Sequence, residues 1–245
     1  MKENKIWNDY LPEDMQEHWT VYECLKESED SSTFLVKETV TGILCVLKWG
    51  RNRQAEFLRN EMEIMEKMAD RKLSGIPKTY RIFEENGEVY LVREYIEGMS
   101  LAQMVLQKGG ISEAEICRIS RKICQTAEQF QNPDEPMIHR DIKPENIVVT
   151  PGGEVVFIDF GTMRSYKKDG SRDTFVVGTR GTAAPEQYGY TQTDQRTDVY
   201  AIGQTMLYMV SESYEMNQLS ECAVSRRMKK IIEKACSFEP DKRYG

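Results

Sequence analysis

Between His139 and Gly161 the chain reads H-R-D-I-K-P-E-N-I-V-V-T-P-G-G-E-V-V-F-I-D-F-G, and no other stretch constrains its fold and chemistry as much. Two apolar runs of strand character, Ile147 to Val149 and Val155 to Ile158, flank Pro151-Gly152-Gly153, so the spacing predicts a tight β-hairpin. Asn146 and Asp159 stand at matching distances from that turn. Pairing across the hairpin is then expected to set an amide oxygen beside a carboxylate, a pair of ligands suited to a hard divalent cation such as Mg²⁺. Asp141 and Lys143 precede Asn146 on the same short loop and add a base and a cation. The plainer reading is a hairpin that happens to carry surface charges.

Composition narrows the setting. A chain of 245 residues with 40% hydrophobic and 30% charged residues is long enough for one large domain or two lobes with a real core. A net charge of −7 argues against nucleic acid as the main partner, because phosphate binding needs a basic face. No apolar run approaches the ~20 residues that cross a bilayer, and the N-terminus lacks a signal-peptide core. Cys24, Cys45, Cys117, Cys124, Cys222 and Cys236 form no C-x-x-C pair, which reads as reduced thiols in a cytoplasmic protein. With His18 and His139 the only histidines, a histidine-rich metal site is excluded.

The first half reads as strands: Thr20 to Leu25, Thr33 to Lys37, Ile43 to Trp49, Lys78 to Phe83 and Val89 to Glu94, the last two joined at Asn86-Gly87. One helix, Gln54 to Asp70, interrupts them with a stripe at Leu58, Glu61, Met65 and Met68. Burying Glu61 on that stripe without a partner would cost several kcal/mol, so a cation is required nearby, and Lys48 at the end of the third strand is the candidate. In isolation the pair also reads as a solvated glutamate and a strand-end lysine. After Gly98 the pattern turns helical, over Leu101 to Gln107, Ser112 to Gln131, Thr197 to Val210 and Arg226 to Ser237. Ser112-Glu-Ala-Glu115 has the form of a capping box.

H-R-D-x-K-P-E-N, D-F-G and Ala184-Pro185-Glu186, in that order and at these spacings, resemble the catalytic segments of the eukaryotic-type (Hanks-type) serine/threonine protein kinases, and A-P-E-Q-Y-G and T-D-V-Y-A-I-G have a bacterial flavour. The resemblance runs from about Tyr22 to Arg243. It implies an α+β bilobal protein kinase fold: an N-terminal lobe over residues 1–94 with a five-stranded antiparallel sheet and one helix, a hinge at 95–99, and a mainly helical lobe over 100–245, with a nucleotide cleft between the lobes. It implies ATP and Mg²⁺, and transfer of the γ-phosphate to Ser/Thr hydroxyls of a protein substrate.

The same resemblance assigns roles. Asp141 orients the acceptor hydroxyl and takes its proton, Lys143 offsets charge on the moving phosphoryl group, and Asn146 and Asp159 hold the metal. Thr179 bridges Asp141 and Lys143 and shapes the acceptor site, unless it is an ordinary loop threonine. Lys48 contacts the phosphates and pairs with Glu61, while Leu25, Val46, Glu94, Ile96 and Val148 bind the rest of the nucleotide. The segment from Asp159 to Glu186, with Ser165, Ser171, Thr174, Arg164, Lys167, Lys168 and Arg172, looks like an activation loop whose phosphate would pair with Arg140, or else a mobile loop of solvated charge. Asp198 braces the catalytic loop, and Glu186 pairs with Arg243.

Two departures stand out. Where the family places glycines between its first two strands, this chain has Lys26, Ser28 and Ser31 within K-E-S-E-D-S-S, so weaker ATP binding is expected. Arg93 falls at the gatekeeper position, facing Glu61 in competition with Lys48, pairing with Glu94, or reaching solvent. The chain stops two residues past Arg243, which reads as a truncated domain; bacterial members often continue into a membrane span and an external sensor, so tethering through a missing C-terminal segment is expected by analogy. The alternatives are a pseudokinase that signals by conformation, favoured by the two departures, and a small-molecule phosphotransferase, disfavoured by the intact A-P-E segment.

Overall fold

The computed structural model describes residues 11–69, 71, 73–131, 135–166, 178–179, 181–189 and 192–245. Lys167, Lys168, Ser171, Arg172 and Thr174 of the expected activation loop, and the end of the expected helix at Asp70, lie outside these residues. The chain divides into two compact units, residues 1–70 with 77–96, and residues 71–76 with 97–245.

The first unit is a five-stranded antiparallel sheet: β1 (Trp19–Glu27), β2 (Ser31–Glu38), β3 (Leu44–Gly50), β4 (Thr79–Glu85) and β5 (Glu88–Glu94), in the order β1-β2-β3-β5-β4. Strict alternation sorts the side chains onto two faces. One face gathers Trp19, Phe34, Val36, Cys45, Leu47, Tyr90 and Val92, and the short helix α1 (Glu13–Gln16) brings Leu11 and Met15 onto that cluster. Residues ahead of the first strand thus close a core that the strand pattern alone leaves open. On the other face, Val89 and Leu91 pack against Ala55 and Leu58 of helix α2 (Arg53–Ala69), whose buried stripe includes Leu58, Glu61, Met65 and Met68. The β4–β5 turn follows its residues: Asn86 (φ 51°) and Gly87 (φ 84°) both take the left-handed conformation that a two-residue hairpin needs.

The second unit is mainly helical: α3 (Leu101–Lys108), α4 (Glu113–Glu128), α5 (Gln195–Ser211) and α6 (Arg226–Ala235). Short strands β6 (Met99–Ser100), β8 (Ile147–Val149) and β9 (Val155–Phe157) form one small sheet, and β7 (Met137–Ile138) pairs with β10 (Arg164–Ser165). Helix α5 is buried on nearly every side and lies against both α4 and α6. At Gly203 an added Cβ would stand 2.7 Å from both Ala235 and Cys236, so the α5–α6 approach demands glycine there. Residues 71–76 join this unit through Gly75, whose carbonyl accepts from Phe157 N–H at 2.9 Å.

The expected capping box at Ser112 forms by half. Ser112 Oγ accepts from Glu115 N–H at 3.3 Å, but the Glu115 carboxylate accepts from Lys108 at 2.7 Å. A neighbouring cation at the end of α3 outcompetes the backbone for it. Ser100 and Gln103 form the reciprocal box instead, at the start of α3.

Candidate active site

The catalytic segment is organised from the β8–β9 hairpin outward. Ile147 faces Phe157, Val148 faces Val156 and Val149 faces Val155, joined through Thr150 to Glu154. This register corrects the expected pairing by one residue. Ile158 N–H donates to the Asn146 carbonyl at 3.0 Å, so Ile158, not Asp159, lies opposite Asn146. The turn closes on the Thr150–Glu154 bond of 2.9 Å, and that closure sets the count. Asp159 lies two residues past Phe157, the last residue of the ladder, and its Oδ1 accepts from Gly161 N–H at 3.2 Å. Its position is set by the D-F-G turn and not by cross-strand pairing.

Asp141, Lys143, Asn146 and Thr179 come together in one cluster. Asp141 Oδ1 accepts from the Thr179 hydroxyl at 2.8 Å, while Oδ2 accepts from the Asn146 amide at 2.8 Å and lies 2.8 Å from Lys143 Nζ. Lys143 Nζ also donates to Thr179 Oγ1 at 2.6 Å, closing the triangle. The Asn146 amide nitrogen donates further to the Asp141 carbonyl at 3.1 Å, which commits it to the loop and leaves the amide oxygen as the atom suited to a cation. An amide oxygen and a carboxylate are the hard donors that Mg²⁺ prefers, so Asn146 and Asp159 fit such an ion.

The loop is held from beneath. Asp198, near the start of α5, accepts from the backbone N–H groups of His139 and Arg140, each at 2.9 Å, and Arg140 adopts φ 66° to present its own. Burial pushes the Asp198 carboxyl up to about 6 against the pull of those two bonds. His139 is 1% exposed among Phe130, Phe157 and Phe160, and burial pushes its imidazole down to about 4, keeping it neutral. Arg140 Nε donates to the Thr162 carbonyl at 2.7 Å. A brace the sequence reading overlooked is Gln187, just after Ala184-Pro185-Glu186: its Oε1 accepts from Ala184 N–H at 2.9 Å and its Nε2 donates to the Arg140 carbonyl at 2.8 Å. Glu186 takes a two-pronged bond from Arg243, at 2.6 and 2.8 Å.

In the first unit Lys48 Nζ donates to both oxygens of Glu61, at 2.9 and 2.7 Å, with the pair buried. Val46 is buried opposite Leu35 and Arg93, Glu94 pairs with Cys45, Leu25 is 47% exposed on β1, and Ile96 is half-buried at the end of the unit. Val148, of the second unit, is buried in β8. Arg93 is 4% exposed and shares the Val89 and Leu91 face; its Nη1 donates to the Glu94 carbonyl at 3.1 Å.

The glycine-free turn is closed by its serines. Ser28 N–H and Oγ both bond the Ser31 carbonyl, at 2.8 and 2.9 Å, and no residue there needs positive φ. Its acidic tip is also partly neutralised, since Asp30 accepts from Arg51 Nε at 2.8 Å and from Asn52 at 3.1 Å.

A family model for the protein kinase domain matches residues 20–245. Serine/threonine-protein kinase D of Synechocystis is 30% identical over 209 residues, covering 78% of this chain and 40% of that protein. A probable serine/threonine-protein kinase of Clostridium perfringens is 35% identical over 147 residues (60% of this chain, 21% of that protein), and serine/threonine-protein kinase PknA of Nostoc is 27% identical over 209 (77% and 36%). The chain thus spans less than half the length of these relatives. The match over nearly all of the chain, with bacterial kinases of the eukaryotic (Hanks) type among its relatives, means that this chain belongs to the protein kinase domain family.

Proposed function

We propose that the chain is the catalytic domain of a serine/threonine protein kinase that moves the γ-phosphate of Mg·ATP to Ser/Thr hydroxyls of proteins, acting in the cytoplasm. The observation that carries this reading is the closed cluster of Asp141, Lys143, Asn146 and Thr179. Asp141 Oδ1, which here accepts from the Thr179 hydroxyl, is the atom to orient an acceptor hydroxyl in the same way and to take its proton as the new O–P bond forms. The bond from phosphorus to the bridging oxygen of the diphosphate breaks, and its electron pair leaves with ADP. Lys143 offsets charge on the phosphoryl oxygens. Asn146 and Asp159 are assigned to Mg²⁺, which when bound neutralises the phosphates. Lys48, held by Glu61, is assigned to the phosphates, and Leu25, Val46, Glu94, Ile96 and Val148 to the rest of the nucleotide. In this reading residues 1–94 are the N-terminal lobe, 95–99 the hinge and 100–245 the C-terminal lobe.

The test is transfer of labelled γ-phosphate from Mg·ATP to the protein itself and to a basic Ser/Thr protein, with Asp141→Asn as control. Label lost by about 10²–10⁴-fold in the variant supports the assignment. Absence of label in both proteins, at millimolar ATP, would overturn it in favour of a binding module.

A further inference from the structure

From His139 to Asp141 every backbone polar group has a partner. His139 N–H donates to Asp198, and its carbonyl accepts from the Thr162 hydroxyl at 3.0 Å. Arg140 N–H donates to Asp198, and its carbonyl accepts from Gln187 Nε2 at 2.8 Å. Asp141 N–H donates to His139 Nδ1 at 3.4 Å, and its carbonyl accepts from the Asn146 amide. Arg140 sits in the middle at φ 66°, a left-handed conformation that a non-glycine residue keeps only where its surroundings fix it. Among these partners only Gln187 comes from the segment that carries Thr179.

Gln187 is buried, and its amide meets that segment at two further points. Its Oε1 accepts from Ala184 N–H at 2.9 Å. At Gly178, where φ is +138°, an added Cβ would stand 2.8 Å from its Nε2 and 2.6 Å from the Ala183 side chain, so glycine is what lets the chain enter Thr179 this close to the amide. The turn that follows is closed by the N–H groups of Thr182 and Ala183 on the Thr179 carbonyl, at 3.1 and 2.9 Å. At Gly181 it abuts Tyr214, itself stacked on Tyr208 with ring centroids 5.1 Å apart. One carboxamide thus links the Arg140–Asp141 peptide to the turn that brings the Thr179 hydroxyl to Asp141.

We propose that Gln187 is a positioning residue for phosphoryl transfer: by locking the Arg140–Asp141 peptide to the Thr179 turn, it makes the orientation of Asp141 depend on how that turn is set. The inference rests on the kinase reading and adds to it a residue that touches neither nucleotide nor acceptor. A carboxamide suits the task because it donates to a carbonyl and accepts from an N–H at once. Glutamate at the same position can only accept, and methionine, of similar length, does neither. The two bonds of Gln187 can therefore be removed one at a time.

The experiment measures kcat and KM for ATP, with a basic Ser/Thr protein as acceptor, in wild type, Gln187→Glu, Gln187→Met, Thr179→Val and the Gln187→Glu, Thr179→Val double variant. Amide exchange by mass spectrometry accompanies it. Gln187→Glu retains an acceptor for Ala184 N–H, so it carries the test even if Gln187→Met does not fold. Gln187→Glu is expected to lower kcat about 10–100-fold, as a small misplacement of a reacting group does, while KM for ATP stays within about twofold. The double variant should lose less than the product of the two single losses, by about threefold or more, because both substitutions release the same contact. Exchange in Gln187→Glu should quicken over residues 138–146 and not over α6, which separates positioning from general loosening. An unchanged kcat, losses that multiply, KM for ATP rising in step with the loss of kcat, or exchange that quickens throughout overturns this inference and leaves the kinase reading standing. Absence of transfer by wild type itself sinks the kinase reading and, with it, any role of Gln187 in transfer.

Discussion

Among the described residues each unit holds a buried glutamate paired with a cation, and the two pairs are built on different chemistry. In the second unit Arg243 spends all five of its N–H groups: two on Glu186, one each on the carbonyls of Ser237, Arg196 and Phe238. Glu186 also accepts from the Thr197 hydroxyl at 2.8 Å, and the guanidinium lies over the Tyr200 ring at 4.9 Å. In the first unit the Lys48 ammonium, on a flexible stem, donates to both oxygens of Glu61. A planar fork with every donor satisfied is a fixed brace, whereas a point charge can be shared with an incoming anion. The comparison teaches that burial alone does not say what an ion pair is for; the shape of the cation, a planar fork or a point charge, does.

The hardest test of this contrast is Arg243→Met. It leaves Glu186 buried and uncompensated and strands three carbonyls, so we expect a loss of about 3–5 kcal/mol in denaturant unfolding. Loss of less than about 1 kcal/mol would make the brace dispensable. Next in size is a pH effect from groups buried outside either pair. Between pH 6.5 and 4 the unfolded chain protonates His139 and the folded chain does not, so acid costs stability. Between pH 6 and 4 the folded chain protonates Asp198 before the unfolded chain does, so acid returns a similar amount. Wild type should therefore change little from these two groups over that range, while His139→Phe should gain about 3 kcal/mol on it by pH 4. Parallel pH profiles for the two proteins would refute the assignment.

Lys48→Met should cost less stability than the Arg243 change, about 2 kcal/mol, because α2 packs on the sheet through one stripe and can shift to hydrate Glu61. Phosphate transfer should nevertheless fall by about 100-fold or more, measured under saturating ATP. An active Lys48→Met protein would end the comparison. The smallest effect belongs to Arg59–Glu84, which is also two-pronged, from Nε and Nη2 at 2.8 and 2.9 Å, but is exposed. Arg59→Ala should leave the unfolding midpoint within error at physiological salt. A clear drop would show that fork geometry, and not burial, is what makes Arg243 strong.

Much of this was legible beforehand because it depends on local spacing. Alternation placed Arg93 on the face of Val89 and Leu91, and the helical stripe exposed the conflict at Glu61 that Lys48 resolves. What could not be read were competitions between distant groups. Glu115 abandons its helix terminus for Lys108, Asp30 is tied to Arg51 and Asn52 across the sheet edge, and Gln187 bonds a loop far away in sequence. The hairpin count also failed by one, since the bond that closes the turn is not encoded in the positions of Pro151 and the glycines.

By itself, then, the sequence determined the longer strands and helices, the family and the identities of the residues around Asp141, because periodicity and motif spacing are properties of a short stretch of chain. Only the tertiary structure decided the register of Asn146 against Ile158, the closing of one sheet face by Leu11 and Met15, and the stacking of Tyr214 on Tyr208 beneath Gly181. Those outcomes are set by which of several possible partners each group meets once the chain is packed, and packing density and hydrogen-bond satisfaction are decided jointly across the fold.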